Sequence, residues 1–174
     1  MKAYKQFRVD ESGNLHPLFV FAEETIQIGL WLIAKEGKRT PTGKVKSKLG
    51  PLAYRPGWHL SEALYAPHIG LKEDGKIKYM HPNTVWAECE VCEVNDYTLE
   101  AHERGIRNGK FSAQRACLDH LPENGFYWFT TNPNAFGNWL ITDRMRVNRV
   151  LSDDEVEEIC WKQSGIHAQP RKVG

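Results

Sequence analysis

No apolar run in this chain is longer than a strand. The longest, Ile28-Gly-Leu-Trp-Leu-Ile-Ala34, opens directly onto a polar loop. Such a chain cannot supply the ~18 residues of a membrane-spanning helix. Its patterns read instead as several short strands in an antiparallel or mixed arrangement with two or three helices, which is the α+β class.

The strands follow from local pattern. KQFRV (5–9) and Leu15–Phe21 flank a Gly13-Asn14 turn and predict a hairpin. Residues 30–34, LWLIA, read as a buried strand, and VWAECEVCEV (85–94) alternates with period two. FYWFTT (126–131), Trp139–Thr142 and Met145–Leu151 continue the β pattern, with a break at Asp143-Arg144. Two or three helices are expected. One starts at Thr98, and FSAQRACLDHL (111–121) predicts a second through Phe111, Ala113, Ala116 and Leu118. The last is the clearest: Ser152-Asp-Asp-Glu155 is a capping box, its acids sit where the helix dipole favours them, and Gly165 closes it. Helix physics accounts for Glu155, so no catalytic role attaches to it. The arrangement expected is an antiparallel or mixed split sheet in one domain, residues 1–165, followed by a flexible tail, 166–174.

With 174 residues the chain is long enough for a real core, and its 41% hydrophobic and 26% charged content is ordinary for a globular domain. A net charge of +1 sets up no global attraction to nucleic acid or to a membrane. The charged start, MKAYKQFRVD, lacks the apolar stretch of a signal peptide, so a cytoplasmic location is expected. The one local positive patch is 35–48, where Lys35, Lys38, Arg39, Lys44, Lys46 and Lys48 face a single Glu36. It is a candidate nucleic-acid contact, although a solvated loop is the expected outcome.

Cys89 and Cys92 form a C-x-x-C, but on a period-two strand residues three apart point to opposite faces. No metal is therefore expected, and a redox pair would have to open a helix.

The densest chemistry lies in LAYRPGWHLSEALYAPHIG (52–70), where Tyr54, Arg55, Trp58, His59, Ser61, Tyr65 and His68 gather around Pro56-Gly57. Aromatic faces with hydrogen-bonding tips suit a pocket wall. The segment is expected to run strand, turn, helix, with Trp58 packed inward and His59 facing the cleft. Phosphate-binding, dinucleotide-binding, α/β-hydrolase and zincin signatures are absent from the sequence.

Three features in order resemble the ADP-ribosyltransferase-like fold. They are Phe7-Arg8 in the first strand, Gly57-Trp58-His59-Leu60-Ser61 with Ala63, Tyr65 and Ala66 following, and the late pair Trp139–Thr142 and Met145–Leu151. The Tyr-Arg-Pro-Gly-Trp-His core is also similar to small proteins of phages and mobile elements. The closing strand and Ser-Asp-x-Glu-Val helix are similar to transferase-like modules of phage polyvalent proteins. The resemblance implies an NAD-handling domain. In it Arg8 would meet the pyrophosphate, Gly57 would allow close backbone approach, and Trp58 or Tyr65 would stack on nicotinamide. His59 and Ser61 would bond ribose hydroxyls, with His59 the catalytic candidate and Tyr54 and Arg55 completing the cofactor wall. The family's late-strand Glu has no counterpart, because Asn138 and Trp139 stand in its place. Losing such a partner weakens oxocarbenium stabilisation by roughly 3 kcal/mol. The alternative is therefore a non-catalytic module that binds nucleotide, nucleic acid or protein on the same fold.

Overall fold

The computed structural model describes residues 1–48, 50, 52–64, 83–107, 116–129 and 138–165. The polar turn 72–76, Tyr65, His68 and the tail 166–174 lie outside them. The chain is an α+β protein whose nine-stranded sheet is mostly antiparallel, with two helices among the described residues. The strands are β1 (Lys2–Val9), β2 (Leu15–His16), β3 (Trp31–Ile33), β4 (Trp58–Ser61), β5 (Thr84–Val91), β6 (Asn95–Asp96), β7 (Gly125–Phe129), β8 (Trp139–Thr142) and β9 (Arg144–Val150). The helices are α1 (Thr98–Arg107) and α2 (Asp153–Ser164). The sheet runs β3-β9-β5-β1-β4-β8-β7-β6, with β2 beside β1, and only β6 and β7 pair in parallel.

Chain order and sheet order together dictate the shape. Only Asp143 separates β8 from β9, yet β4, β1 and β5 stand between them in the sheet. The sheet must therefore bend until its two halves meet at that corner. Ala34 N–H donates to the Asp143 carbonyl at 2.7 Å and Cys92 N–H to the Arg144 carbonyl at 3.2 Å, which ties the corner to β3 and β5. Inside the bend lies the main core, with Phe7, Leu60, Val85, Leu140, Met145 and Val147 drawn from both halves. The opposite face is covered in two places. Tyr4 and Trp86 pack under Val156 and Cys160 of α2, while Tyr127, Phe129 and Ile141 pack under Ala101 of α1. Trp139 touches both clusters and marks the gap between the helices.

The helix signals hold where they are local. Ser152 accepts from Glu155 N–H, Glu155 accepts from Ser152 N–H at 2.9 Å, and Gly165 adopts φ 68°. Glu155 also pairs with Arg149, so its carboxylate is fully employed by the cap. Thr98 does start α1, but its hydroxyl accepts from Trp128 N–H of β7, and the helix-start amide of Thr98 goes to Asp96.

Several expectations are corrected. The run from Leu15 stops at His16, because Pro17 has no N–H to continue a ladder. The segment 30–34 is an edge strand rather than a buried one: β3 pairs with β9 alone, leaving Trp31 46% and Ile33 61% exposed. After Pro56-Gly57 comes β4, no strand precedes the turn among the described residues, and residues 62–64 are not helical, while 65–70, where the expected helix would run, lie outside the described residues. The alternation of Trp58 and Leu60 with His59 and Ser61 is the period-two signal behind β4. Residues 116–121 are not helical, and 111–115 lie outside the described residues. The break between the late strands is Asp143 alone. Finally β5 ends at Val91, placing Cys92 just past it. Both thiols are free, and no cluster of metal-ligating residues occurs among the described residues. Burial pushes the Cys89 thiol up to about 12, which makes it inert.

Candidate functional site

A cavity of about 230 Å³ opens on the helix-bearing face between β1 and β4. Its origin is a fault in strand pairing. β1 and β4 share one paired position, Tyr4 with Ser61, and β1 then takes β2 as partner at Arg8 and Val9. Among the described residues no strand pairs with Lys5, Gln6 and Phe7 on that side. The space is walled by Tyr4, Gln6 and Trp86 from β1 and β5, by Trp58 and His59 from β4, and by Trp139 from β8. Residues 17–21 and 52–57, with Ala34, Lys35, Gly37 and Val45, close it from above.

The turn into β4 is held by its neighbours. Gly57 has φ +131°, and a Cβ there would stand 2.5 Å from Ile141 Cγ2 and 2.9 Å from the Thr142 carbonyl oxygen. Its close approach is thus to β8 of its own chain. Trp58 packs on the main core and donates its indole N–H to the Leu32 carbonyl at 3.0 Å. His59 Nε2 lies 2.9 Å from the Arg55 carbonyl. A carbonyl only accepts, so Nε2 carries the proton. The ring also meets Phe129 edge-on at 6.4 Å, and the Arg55 guanidinium sits 4.8 Å above that same ring. Lys5 reaches across the fault, its amine donating to the His59 carbonyl at 2.7 Å.

Burial here reshapes the charges. It pulls His59 down to about 4, helped by the neighbouring Lys5 and Arg55 cations and opposed by the bond to Arg55. His59 is therefore neutral at pH 7 and cannot serve as a cationic acid. Burial likewise pulls the Lys5 amine down to about 8, so it remains cationic at neutral pH but at a cost. No Asp or Glu lines the cavity among the described residues. The acids of the earlier strand β5 are occupied elsewhere: Glu88 pairs with Lys2 and Arg149, and Glu90 with Arg146.

The depressed His59 has a consequence for stability. Between about pH 6.5 and 4 the unfolded chain protonates this residue and the folded one does not, so stability falls as pH falls through that window. The shift corresponds to about 3 kcal/mol once both limits are passed. Urea unfolding at pH 7 and pH 4.5 should show His59→Gln gaining about 2–3 kcal/mol on the wild type at the lower pH. An unchanged difference between the two proteins at both pH values would refute this.

Of the residues singled out in the sequence, Tyr54, Arg55, Gly57, Trp58 and His59 line the cavity. Arg8 does not; its guanidinium donates to the Ala22 carbonyl at 2.8 Å. Nor does Ser61, which is buried and bonds the carbonyl and N–H of Ala63, closing the turn after β4. Lys5, Gln6, Trp86 and Trp139 were not singled out, yet they form much of the floor. The available signal was the β1 alternation, which puts Gln6 on one face with Tyr4 and Arg8. In the basic loop Lys35 pairs with Glu24, Lys48 with Glu23, and Arg39 stacks 4.0 Å above Tyr54. Half of its cations are thus engaged within the chain. No helix among the described residues is long and apolar enough to cross a membrane. Comparisons with protein-family models, with curated proteins and with solved structures find no match for this chain.

Proposed function

We propose that this chain is a binding module for a nucleotide-class ligand, held in the cavity between β1 and β4 on an ADP-ribosyltransferase-like split sheet. The observation that carries it is the composition of that cavity: aromatic walls, with Lys5 and Arg55 present and no carboxylate among the described lining residues. Flat apolar walls accept a ring system, and the cations favour an anionic ligand. At about 230 Å³ the space falls short of the ~300–1,000 Å³ of a drug-sized site. It suits one ring-bearing half of a dinucleotide, with the phosphates at the mouth. The parting of β1 and β4 supports the split-sheet reading, and NAD is the first ligand that the resemblance nominates. Efficient ribosyl transfer is not part of the proposal, since the described residues of the cavity wall include no carboxylate to stabilise the oxocarbenium charge.

The test uses NAD and mononucleotides in calorimetry, with Lys5→Met as the variant. Methionine has similar volume and removes a buried charge whose folded state is disfavoured. The melting temperature should hold or rise, while nucleotide affinity falls at least about tenfold, the scale of one charge-assisted hydrogen bond. Failure of the wild type to bind any nucleotide would sink the proposal. Undiminished binding by Lys5→Met would remove Lys5 from the site.

A further inference from the structure

We infer that Gln6 makes the cavity select nucleobases that carry a carbonyl oxygen over those that carry an amino group at the buried edge. The inference rests on the nucleotide reading and deepens it. Gln6 keeps only 6% of its surface exposed, and its Nε2 has no hydrogen-bond partner among the described residues. A buried amide donor left unpaired is costly, so its retention on the floor of a cavity points to an acceptor supplied by the ligand. The electrostatics of the cavity agree. Lys5 and Arg55 make its interior positive and no carboxylate among the described lining residues offsets them, which favours a partially negative carbonyl oxygen and disfavours the positive end of an exocyclic N–H.

The position of Gln6 explains why it is free. Its register partner across β1 and β5 is Trp86, an aromatic that takes no bond from an amide. On its other side lies the stretch where β1 and β4 fail to pair, so among the described residues no strand there offers the donor a carbonyl. The same fault that opens the cavity leaves this unsatisfied amide donor on its floor.

Uridine and inosine monophosphates present an oxygen where cytidine and adenosine monophosphates present an amino group, with the adjacent ring nitrogen switching in concert. In calorimetry the wild-type protein should bind UMP over CMP, and IMP over AMP, by about tenfold or more in each pair. Gln6→Met, which keeps the volume but not the donor, should erase the preference at unchanged melting temperature. Gln6→Glu, which offers an acceptor instead, should reverse it. Equal binding within both pairs by the wild type would overturn the inference and leave the nucleotide reading standing. Absence of binding by all four and by NAD would overturn both.

Discussion

Gly57→Ala is expected to destabilise the fold by about 3–5 kcal/mol, among the largest effects of any single methyl group in this chain. Two costs add. A residue with a Cβ at φ +131° is strained by ~1–3 kcal/mol. The new methyl also overlaps Ile141 Cγ2 at 2.5 Å and the Thr142 carbonyl oxygen at 2.9 Å. Both belong to β8, so relief requires moving a core strand, and overpacking of that kind costs ~1–3 kcal/mol more. Gly13 provides the control. It too has positive φ, +84°, but a Cβ there meets nothing within 4 Å. Gly13→Ala should therefore cost only the conformational part, ~1–2 kcal/mol. Urea unfolding of the two variants separates strain from clash. A Gly57→Ala loss no greater than that of Gly13→Ala would show that β4 and β8 are not in the contact described. Because Gly57 and Ile141 sit where the cavity wall meets the sheet, the variant should also lose ligand affinity.

What could be read from the sequence divides along physical lines. The capping box at Ser152 and the closing Gly165 were legible because they depend on residues within one turn of each other. The strands at β1, β5, β7, β8 and β9 were legible because alternation and aromatic or β-branched runs report a pleated, half-buried surface. β4 was not, because Trp58–Ser61 is too short for alternation to outweigh the alanines that follow it, and those alanines suggest helix. The edge position of β3 was also hidden, since an apolar run looks the same whether one or two strands flank it. The site shows the same limit. The cluster around Pro56 could be found by composition, and five of its residues do line the cavity. Choosing Gln6 over Arg8 could not be done from alternation, which places both on one face. Only the sheet order decides, by pairing Arg8 with His16 of β2 and leaving Gln6 opposite the unpaired stretch of β1.

Sheet order also turns a residue that reads as mere punctuation, Asp143, into the fastening of the whole bend. Its carboxylate is 5% exposed and accepts Asn124 N–H at 2.8 Å and Gly125 N–H at 3.3 Å, while Arg144 Nε donates to it at 3.3 Å. Thr142 Oγ1 adds a bond to the Gly125 carbonyl at 2.8 Å, so the tip of β7 is gripped from both sides of the corner. Asp143→Ala removes the acceptor and leaves the Asn124 N–H and a half-buried guanidinium unanswered, while Gly125 N–H keeps its bond to the Pro122 carbonyl at 2.9 Å. Losing hydrogen bonds to a charged acceptor costs ~1.5–3 kcal/mol, and that is the loss expected in urea unfolding at pH 7. Asp143→Asn keeps one acceptor oxygen but offers an N–H to another donor, so it should fall between wild type and Asp143→Ala. Arg144→Met alone should cost less than Asp143→Ala, because the carboxylate keeps its two backbone donors. If the carboxylate chiefly serves Arg144, the double variant Asp143→Ala/Arg144→Met would recover most of the stability. If it chiefly serves the tip of β7, as the 2.8 Å bond from Asn124 indicates, the double variant stays as unstable as Asp143→Ala. The second result is expected. A loss below about 1 kcal/mol for Asp143→Ala would mean that the corner is held by packing alone.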